Sequence, residues 1–235
     1  MKTKLKTLVL LTYFGFLSFS CLACKSSTTD ENKFEEFRKL FQPHSLPIDW
    51  NRSDIGRLGK PIYGEDKFNI IPSELYDYIP KEIIHADSVS YIRALFHLPS
   101  LENIFLFIIS TDYIDDYYGD GEPFPISKNI FLIIYDNEGE MLSCKQVAGS
   151  HVDQWNQLVS IDEDYILQTR HYKFLGGAIK HPSKSHLIGK MQYTKTSCEI
   201  TVNGIINCTS ETIKGYFDSL PDGDYELVKE VYKDD

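Results

Sequence analysis

Asn-Ile-Phe-Leu-Phe-Ile-Ile (103–109) and Asn-Ile-Phe-Leu-Ile-Ile-Tyr (129–135) are the most apolar runs of the chain after its N-terminus. Each run is short, rich in β-branched and aromatic residues and bounded by turn residues, which predicts a buried strand. Because residues on both alternate faces are apolar, we expect both sides of the sheet to be covered here. We call these runs the twin strands and interpret them as the two walls of one long hairpin.

Length and composition favour one globular domain. The chain has 235 residues, of which 42% are hydrophobic, and this is enough to bury one sizeable core. The formal net charge is −10, and no cluster of Lys and Arg follows the first residues. Nucleic acid is therefore not an expected partner.

The N-terminus has the plan of an export signal. Three lysines in the first six residues precede an apolar segment that ends near Ala23, and a polar run begins at Lys25. A small residue precedes a cysteine twice, which predicts a lipoprotein signal over residues 1–23 with lipid on Cys24, or alternatively on Cys21. An ordinary cleaved signal and an uncleaved anchor are the other interpretations.

The predicted location follows from this signal. Residues 24–31 form a polar tether, and residues 32–235 form a single β-rich domain. The lipid would attach the protein to the outer membrane of the cell envelope, facing the periplasm or the surface.

Short segments of strand character separated by turns predict a mostly β fold: a single antiparallel meander, sandwich or open barrel with one or two short helices. Amphipathic spacing predicts a helix within residues 32–41. A helical turn or two is expected over 73–79, and a helix over 211–220. Gly176-Gly177 through Ser185 is interpreted as a loop.

The chain resembles uncharacterised exported lipoproteins of Bacteroidetes-type bacteria. The resemblance rests on Phe-Glu-Glu-Phe-Arg-Lys-Leu-Phe with Leu-Pro-Ile in residues 34–48, Ile-Ile-Tyr-Asp-Asn-Glu-Gly-Glu-Met-Leu-Ser in 133–143, and Val-Ala-Gly in 147–149. It implies an envelope location, and it carries no catalytic residues to transfer.

The segment between the twin strands, residues 111–128, is the main candidate for binding. It is longer than most hairpin loops and combines carboxylates with tyrosines. Such a loop could hold calcium, a sugar or a cationic group, although it lacks the ligand spacing of a calcium-hand loop. A solvated acidic loop that protects the sheet edge is the plainer interpretation. The candidate residues are Asp112, Tyr113, Asp115, Asp116, Tyr117, Tyr118, Asp120 and Glu122.

Cys198 and Cys208 flank a predicted hairpin turn. With a three-residue loop over 202–204 they would lie directly opposite each other, whereas a two-residue Asn203-Gly204 turn would put them on opposite faces. Export permits a disulfide here, and two separate buried thiols are the alternative.

No motif for catalysis is present. The Gly-x-Ser-x-Gly pattern is absent, and Ser150 beside His151 does not form a dyad on an extended chain. The histidines, including His181 and His186, are expected at surface or structural positions, and no zinc-ligand spacing occurs. We therefore predict a non-catalytic module that binds an envelope protein or glycan, with a carboxylate-dependent hydrolase as the alternative. No cofactor is expected, and calcium in the acidic loop is the alternative.

Overall fold

A computed structural model of the chain describes residues 32–51, 54–55, 58, 69–84, 89–114, 125–151, 155–221 and 224–231. The predicted signal and tether, with Cys21 and Cys24, lie outside these residues. None of the described helices is long and apolar enough to cross a membrane. Helical residues 32–38 belong to one compact unit of the chain, and the sheet with its core belongs to another, Leu40–Asp235.

The fold is mostly β, as the sequence predicts. Within the described residues, twelve strands form one hydrogen-bonded sheet in the order β1-β4-β5-β6-β7-β8-β9-β10-β11-β12, in which β3 also pairs with β4 and β2 with β8. Among these described strands, every pairing is antiparallel except that of β1 with β4. The strands are β1 Gln42–Pro43, β2 Ile48–Trp50, β3 Asn69–Ile70, β4 Val89–His97, β5 Phe105–Ile114, β6 Pro125–Tyr135, β7 Met141–His151, β8 Trp155–Ile161, β9 Ile166–Lys180, β10 Leu187–Thr201, β11 Gly204–Ser219 and β12 Tyr225–Glu230.

The helices of the described residues are short. Residues 32–38 form α1, in which Phe34 and Phe37 stack with ring centroids 6.3 Å apart. A 3₁₀ helix spans Ser73–Tyr78, and α2 spans Lys81–Ile84. The 3₁₀ helix lies where the sequence predicts a helical turn or two, whereas α2 was not predicted.

The twin strands form one antiparallel hairpin, as predicted. β5 and β6 pair from Phe105↔Tyr135 to Ile114↔Pro125. Residues of both alternate faces are buried, with Leu106 and Ile108 on one face and Phe107 and Ile109 on the other. The continuous apolar runs therefore reflect a strand pair that is covered on both sides.

One cover of the twin strands comes from the segment before β4. The Tyr135 hydroxyl donates a hydrogen bond to the carbonyl oxygen of Tyr78 at the end of the 3₁₀ helix. Phe41 packs on Phe107, with ring centroids 4.6 Å apart. Leu75, Ile79 and Ile83 are buried as well.

The other cover is the second half of the sheet. β8 pairs with β7 over only three residues and with β2 over its last three, so β7 and β2 share one edge of β8. Because β1 pairs with β4 and only four residues separate it from β2, the edges of β4 and β8 lie within about 18 Å. The sheet thus curls around one apolar cluster that draws residues from β2 through β11.

Two sequence predictions of local structure are wrong. Residues 211–219, predicted as part of a helix over 211–220, form the second half of strand β11, in which the alternate residues Ile213, Gly215 and Phe217 face one side of the sheet. Residues 176–180 continue β9 and do not belong to a loop. Gly176 and Gly177, both at positive φ, form a bulge after which the ladder with β10 resumes.

The β10–β11 hairpin carries the disulfide Cys198–Cys208, with the Cα atoms 4.1 Å apart. The turn of this hairpin differs from both of the turns that the sequence leaves open. Thr201 pairs with Gly204, which leaves Val202-Asn203 as a two-residue turn and initially offsets the cysteines. A bulge at Asn207 (φ 51) then shifts the register by one residue and brings Cys208 opposite Cys198.

Candidate functional site

The predicted binding loop is shorter than the sequence suggests, because the twin strands extend into it. Asp112 and Tyr113 lie within β5, where their backbones pair with Lys128 and Ser127 of β6. The hairpin narrows the predicted loop to residues 115–124. Asp115, Asp116, Tyr117, Tyr118, Asp120 and Glu122 lie outside the described residues, and their role in binding stays a prediction.

At this end of the hairpin the residues on the inner face of the sheet change from apolar to polar and charged, and Asp112 of β5 pairs directly with Lys128 of β6. Arg93 of β4 is directly opposite Ser110 of β5, which is directly opposite Ile130 of β6, so the three side chains share a face. Ile130 belongs to the apolar cluster. Lys128 lies two residues before Ile130 and therefore points to the same side. We call Arg93, Ser110 and Lys128 the cationic patch.

Both cations of the patch are buried. Arg93 and Lys128 are each 6% exposed. The Arg93 guanidinium carbon stands 5.6 Å from the centre of the Tyr91 ring, which lies on the same strand two residues away. Each cation also takes part in further interactions within the protein. Buried charges are costly unless they are paired, and these interactions offset that cost.

The Ser110 hydroxyl between these cations is fully buried and has no hydrogen-bond partner among the residues that the structure describes. The same holds for Thr111 Oγ1 on the other face of β5. A buried hydroxyl without a partner costs about 1–3 kcal/mol, and native proteins keep few of them. A ligand that accepts a hydrogen bond would satisfy Ser110.

A second cluster surrounds Asp218 at the far end of β11. The loop between β9 and β10 closes over this carboxylate, and the side chain of Asp218 is only 4% exposed. Lys184 Nζ lies 2.5 Å from Oδ2, His186 Nε2 lies 2.7 Å from Oδ1, and His181 Nε2 lies 3.8 Å from Oδ2. We call these four residues the Asp218 cluster.

The hydrogen bonds from Lys184 and His186 lower the pKa of Asp218 from 3.8 to about 2. Asp218 is therefore a carboxylate at every physiological pH, balanced by the Lys184 ammonium. His181 is buried and packs beside the His186 ring, so of the surface or structural roles expected from the sequence it has the structural one. The cluster anchors the 181–186 loop to β11.

Ser183, His181 and Asp218 have the composition of a catalytic triad but not its geometry. The backbone N–H of Ser183 donates to His181 Nδ1 at 3.1 Å, so the lone pair that would accept the hydroxyl proton is already engaged. The hydroxyl oxygen is farther from Nδ1, at 3.4 Å, and the contact of His181 with Asp218 exceeds hydrogen-bond length. The arrangement is that of a structural loop anchor.

A third polar group joins β9, β2 and the residue that precedes β12. Arg170 bridges Asp224 and Asp49 at 2.7 and 2.9 Å, and the Tyr172 hydroxyl donates to Asp224 at 2.7 Å. Burial and the Asp224 carboxylate raise the pKa of Tyr172 well above its ordinary value. Tyr193, Phe217 and Tyr225 surround the Tyr172 ring. Because every polar atom of Asp224 is engaged, this group stabilises the fold.

Within the part of the chain that the structure describes, no three His, Cys, Asp or Glu side chains come together in a way that could hold a metal ion. Most of the acids proposed for calcium lie outside that part. Cys144 on β7 is exposed, and partial desolvation together with the nearby Glu82 raises the pKa of its thiol to about 11. Its thiol is therefore a poor nucleophile at neutral pH.

Sequence reasoning located the hairpin end but missed the residues that the fold brings to it. Arg93 and Lys128 precede apolar runs, where a charge normally marks a strand end in solvent. The sequence carries one signal of their position. Each lies an even number of residues from an inner-facing residue of its strand, so its side chain points to the inner face as well. Asp218 was hidden because residues 211–220 were interpreted as a helix.

No protein-family model matches the chain, and neither a curated protein nor a solved structure was found to be similar to it.

Proposed function

We propose that the chain is a lipid-anchored protein of the bacterial cell envelope that binds a ligand or partner without converting it chemically. Its binding site would lie where the twin strands lead into residues 115–124. The observation that carries this proposal is the cationic patch, in which two buried cations flank a buried hydroxyl without a partner among the described residues. Rigid strands hold all three residues, as a preorganised site requires.

The position of the patch supports a binding role. Ligand sites are common at the mouths of curled sheets and on the loops that rigid strands present. The predicted loop residues Asp115, Asp116, Tyr117 and Tyr118 follow directly on β5, and they would add polar and aromatic contacts around the same place. The polar groups described elsewhere are engaged in structural contacts, as at Asp218 and Asp224.

No specific observation favours the hydrolase alternative. It needs two facing acids with different protonation states. Lys184 and His186 hold Asp218 as a carboxylate, and Arg170 and Tyr172 occupy both side-chain oxygens of Asp224, so neither acid faces a second acid.

A thermal-shift screen of the detergent-solubilised full chain against envelope glycans, peptides and small anions tests the binding role. A true ligand raises the melting temperature of the wild type, because it binds only the folded state. The shift should fall in Lys128→Gln and in Asp115→Ala/Asp116→Ala, and persist in Lys180→Gln, an exposed lysine on β9. A ligand that raises the melting temperature of all three variants as much as that of the wild type would bind elsewhere on the protein.

The anchor has its own test. Metabolic labelling with a fatty-acid probe should mark the wild type, and Cys24→Ser should abolish the label. A label that survives in Cys24→Ser but disappears in Cys21→Ser would move the anchor to Cys21. An unlabelled wild-type protein would contradict lipid anchoring.

A further inference from the structure

The edge of β11 that faces away from β10 is paired over only part of its length. β12 covers this edge as far as Gly215, and the Val231 N–H adds one hydrogen bond to the Lys214 carbonyl oxygen at 2.8 Å. Near the hairpin tip, the Ile205 N–H donates to a serine hydroxyl of β7. Between these two points no other described strand pairs with this edge. We call this side of residues 207–213 the open edge.

The backbone groups of Ser210 and Thr212 point out from the open edge. Across β10 and β11, the hydroxyl oxygens of Thr194 and Thr212 lie 3.1 Å apart, and those of Thr196 and Ser210 lie 2.9 Å apart. Side chains approach most closely where the paired residues do not exchange backbone hydrogen bonds. The carbonyl of Lys214, two residues after Thr212, faces β12 and not β10. The N–H and C=O groups of Ser210 and Thr212 are therefore directed away from β10, roughly 7 Å apart along the strand.

The open edge is exposed and carries few of the features that protect strand edges. Residues 207–212 are all exposed. Natural sheets commonly protect an edge with charged residues or proline. The neighbouring β12, at the end of the sheet, has three charges in six residues, whereas residues 209–213 contain only Glu211. The Cys198–Cys208 disulfide fixes β11 to β10 beside this edge, so the strand is held extended for a partner.

We propose that the open edge binds an extended segment of a partner protein, which adds to β11 as a short antiparallel strand. Ser210 and Thr212 supply two outward N–H groups and two outward C=O groups for the main-chain hydrogen bonds of such β-augmentation. The segment would follow the line of β12, which pairs antiparallel with the same side of β11. Hydroxyl or β-branched side chains suit the positions opposite Ser210 and Thr212, and a basic one suits the position opposite Glu211. This site is separate from the one proposed at the twin strands.

A second copy of the chain does not fit the open edge. Antiparallel pairing of β11 with itself about Glu211 would place residue 206 of the second copy opposite Tyr216, where Lys229 of β12 already pairs. A register shifted toward the hairpin tip would bring the second copy against the contact between Ile205 and β7. The free length between these obstacles fits one extended segment of about six residues.

Residues 232–235 of this chain are also a poor occupant. The register that pairs Gly215 with Glu230 would, if continued, set Asp234 opposite Glu211. Like charges directly opposite each other destabilise a strand pair. A segment from another protein, with a basic residue at this position, avoids the repulsion.

A blocked, fluorescently labelled hexapeptide, Val-Thr-Lys-Thr-Val-Ser, tests the proposal by fluorescence anisotropy with the detergent-solubilised full chain. Paired antiparallel with residues 213 to 208, it sets its threonines opposite Thr212 and Ser210 and its lysine opposite Glu211. N-methylation of both threonines removes the N–H groups that face β11 and should weaken binding by about tenfold or more. N-methylation of the lysine and the second valine alters N–H groups that point away, and should change affinity by less than about twofold.

Variants of the chain locate the site. Thr212→Pro removes one outward N–H and leaves the hydrogen bonds with β10 in place, so it should weaken the peptide by about tenfold. Glu230→Pro is the matched control, because its N–H points away from β11, and it should bind the peptide like the wild type. Glu211→Lys should reverse the preference, so that the peptide with glutamate in place of lysine binds more tightly.

Absence of peptide binding to the folded wild type at millimolar peptide would overturn the proposal, as would equal binding of the two N-methylated peptides. Self-association of the chain that Thr212→Pro abolishes would assign the open edge to a second copy and overturn it as well. The N-methylated peptides require no change in the protein, so their comparison decides even if Thr212→Pro does not fold.

Discussion

Two neighbouring residues on β5 illustrate how function and stability oppose each other at the residue scale. Ser110 and Thr111 are both fully buried, and each has a hydroxyl without a partner among described residues. They differ in the face that they occupy. Ser110 stands between the cations of the patch, whereas Thr111 stands on the side of Phe107 and Ile109, remote from that patch.

Removing either hydroxyl should stabilise the protein. Ser110→Ala and Thr111→Val each delete a desolvated donor without leaving another group unpaired, so we expect the free energy of unfolding to rise by about 1 kcal/mol. Urea unfolding at neutral pH measures the free energy of unfolding of both variants. A clear loss of stability in Ser110→Ala would mean that its hydroxyl has an internal partner, and would weaken the case for a ligand.

The Asp218 cluster predicts a specific dependence on pH. The folded pKa of Asp218 is about 2 and the ordinary value is 3.8, so the unfolded chain takes up the proton first as pH falls. The stability from the ionised carboxylate is therefore complete above about pH 4 and is lost progressively down to about pH 2. Unfolding curves of wild type and Asp218→Asn should differ most above pH 4 and converge below it. Parallel curves over this window would show that Asp218 has no depressed pKa.

At the scale of elements, the long hairpins depend on details of their ladders. The Cys198–Cys208 bond closes a short loop whose cysteines are separated by ten positions, and one of them lies in the apolar cluster. The hairpin tip it stabilises also touches β7, where the Ile205 N–H donates to Ser143 Oγ at 3.0 Å.

Loss of the disulfide should cost roughly 2–3 kcal/mol of unfolding free energy, the chain-entropy value for a loop of this size. The double variant Cys198→Ala/Cys208→Ala compared with wild type under oxidising conditions provides the measurement. Cys144→Ser is the matched control, because Cys144 is a free, exposed thiol. An equal effect in the control would contradict the assignment of the bond.

Two glycines of the same sheet predict unequal costs. A Cβ on Gly215 would meet the carbonyl oxygen of Lys229 at 2.7 Å and Leu227 at 2.4 Å, so β12 would have to move. A Cβ on Gly189 would meet only the ring of Phe174, a half-exposed side chain that can rotate away. Gly215→Ala should therefore destabilise by about 1–3 kcal/mol and Gly189→Ala by less. Thermal unfolding of the two variants measures both losses of stability. A larger loss in Gly189→Ala than in Gly215→Ala would contradict the packing of β12 on β11.

The elements also show what a sequence can and cannot predict. The twin strands follow from local patterns and match the structure. The conformation of residues 211–220 does not follow from local patterns. Helical spacing is seen for Ile213, Tyr216, Phe217 and Leu220, while the alternate positions equally fit a strand. Pairing with β10 and β12 decides between them, and that information is not local. The Cys198–Cys208 register likewise depends on a bulge that spacing does not encode.

For the candidate site, the sequence points to a region but not to its chemistry. The segment between the twin strands is visible as a long acidic interruption. The cationic patch is not visible, because Arg93 and Lys128 are 35 positions apart and meet only when β4, β5 and β6 align. Burial of these charges is a property of the assembled sheet.

At the scale of the whole molecule, the central claim is that a curled sheet is built on the twin strands and that a ligand binds where these strands lead into residues 115–124. Hydrogen exchange of the full chain, with and without a ligand identified in the thermal-shift screen, tests this claim most directly. We expect amides of β5 and β6 to exchange slowest without ligand, and the ligand to add protection around residues 91–93, 110–114 and 125–128. Added protection at residues 181–186, beside Lys184 and the two histidines, or none at any segment, would contradict it.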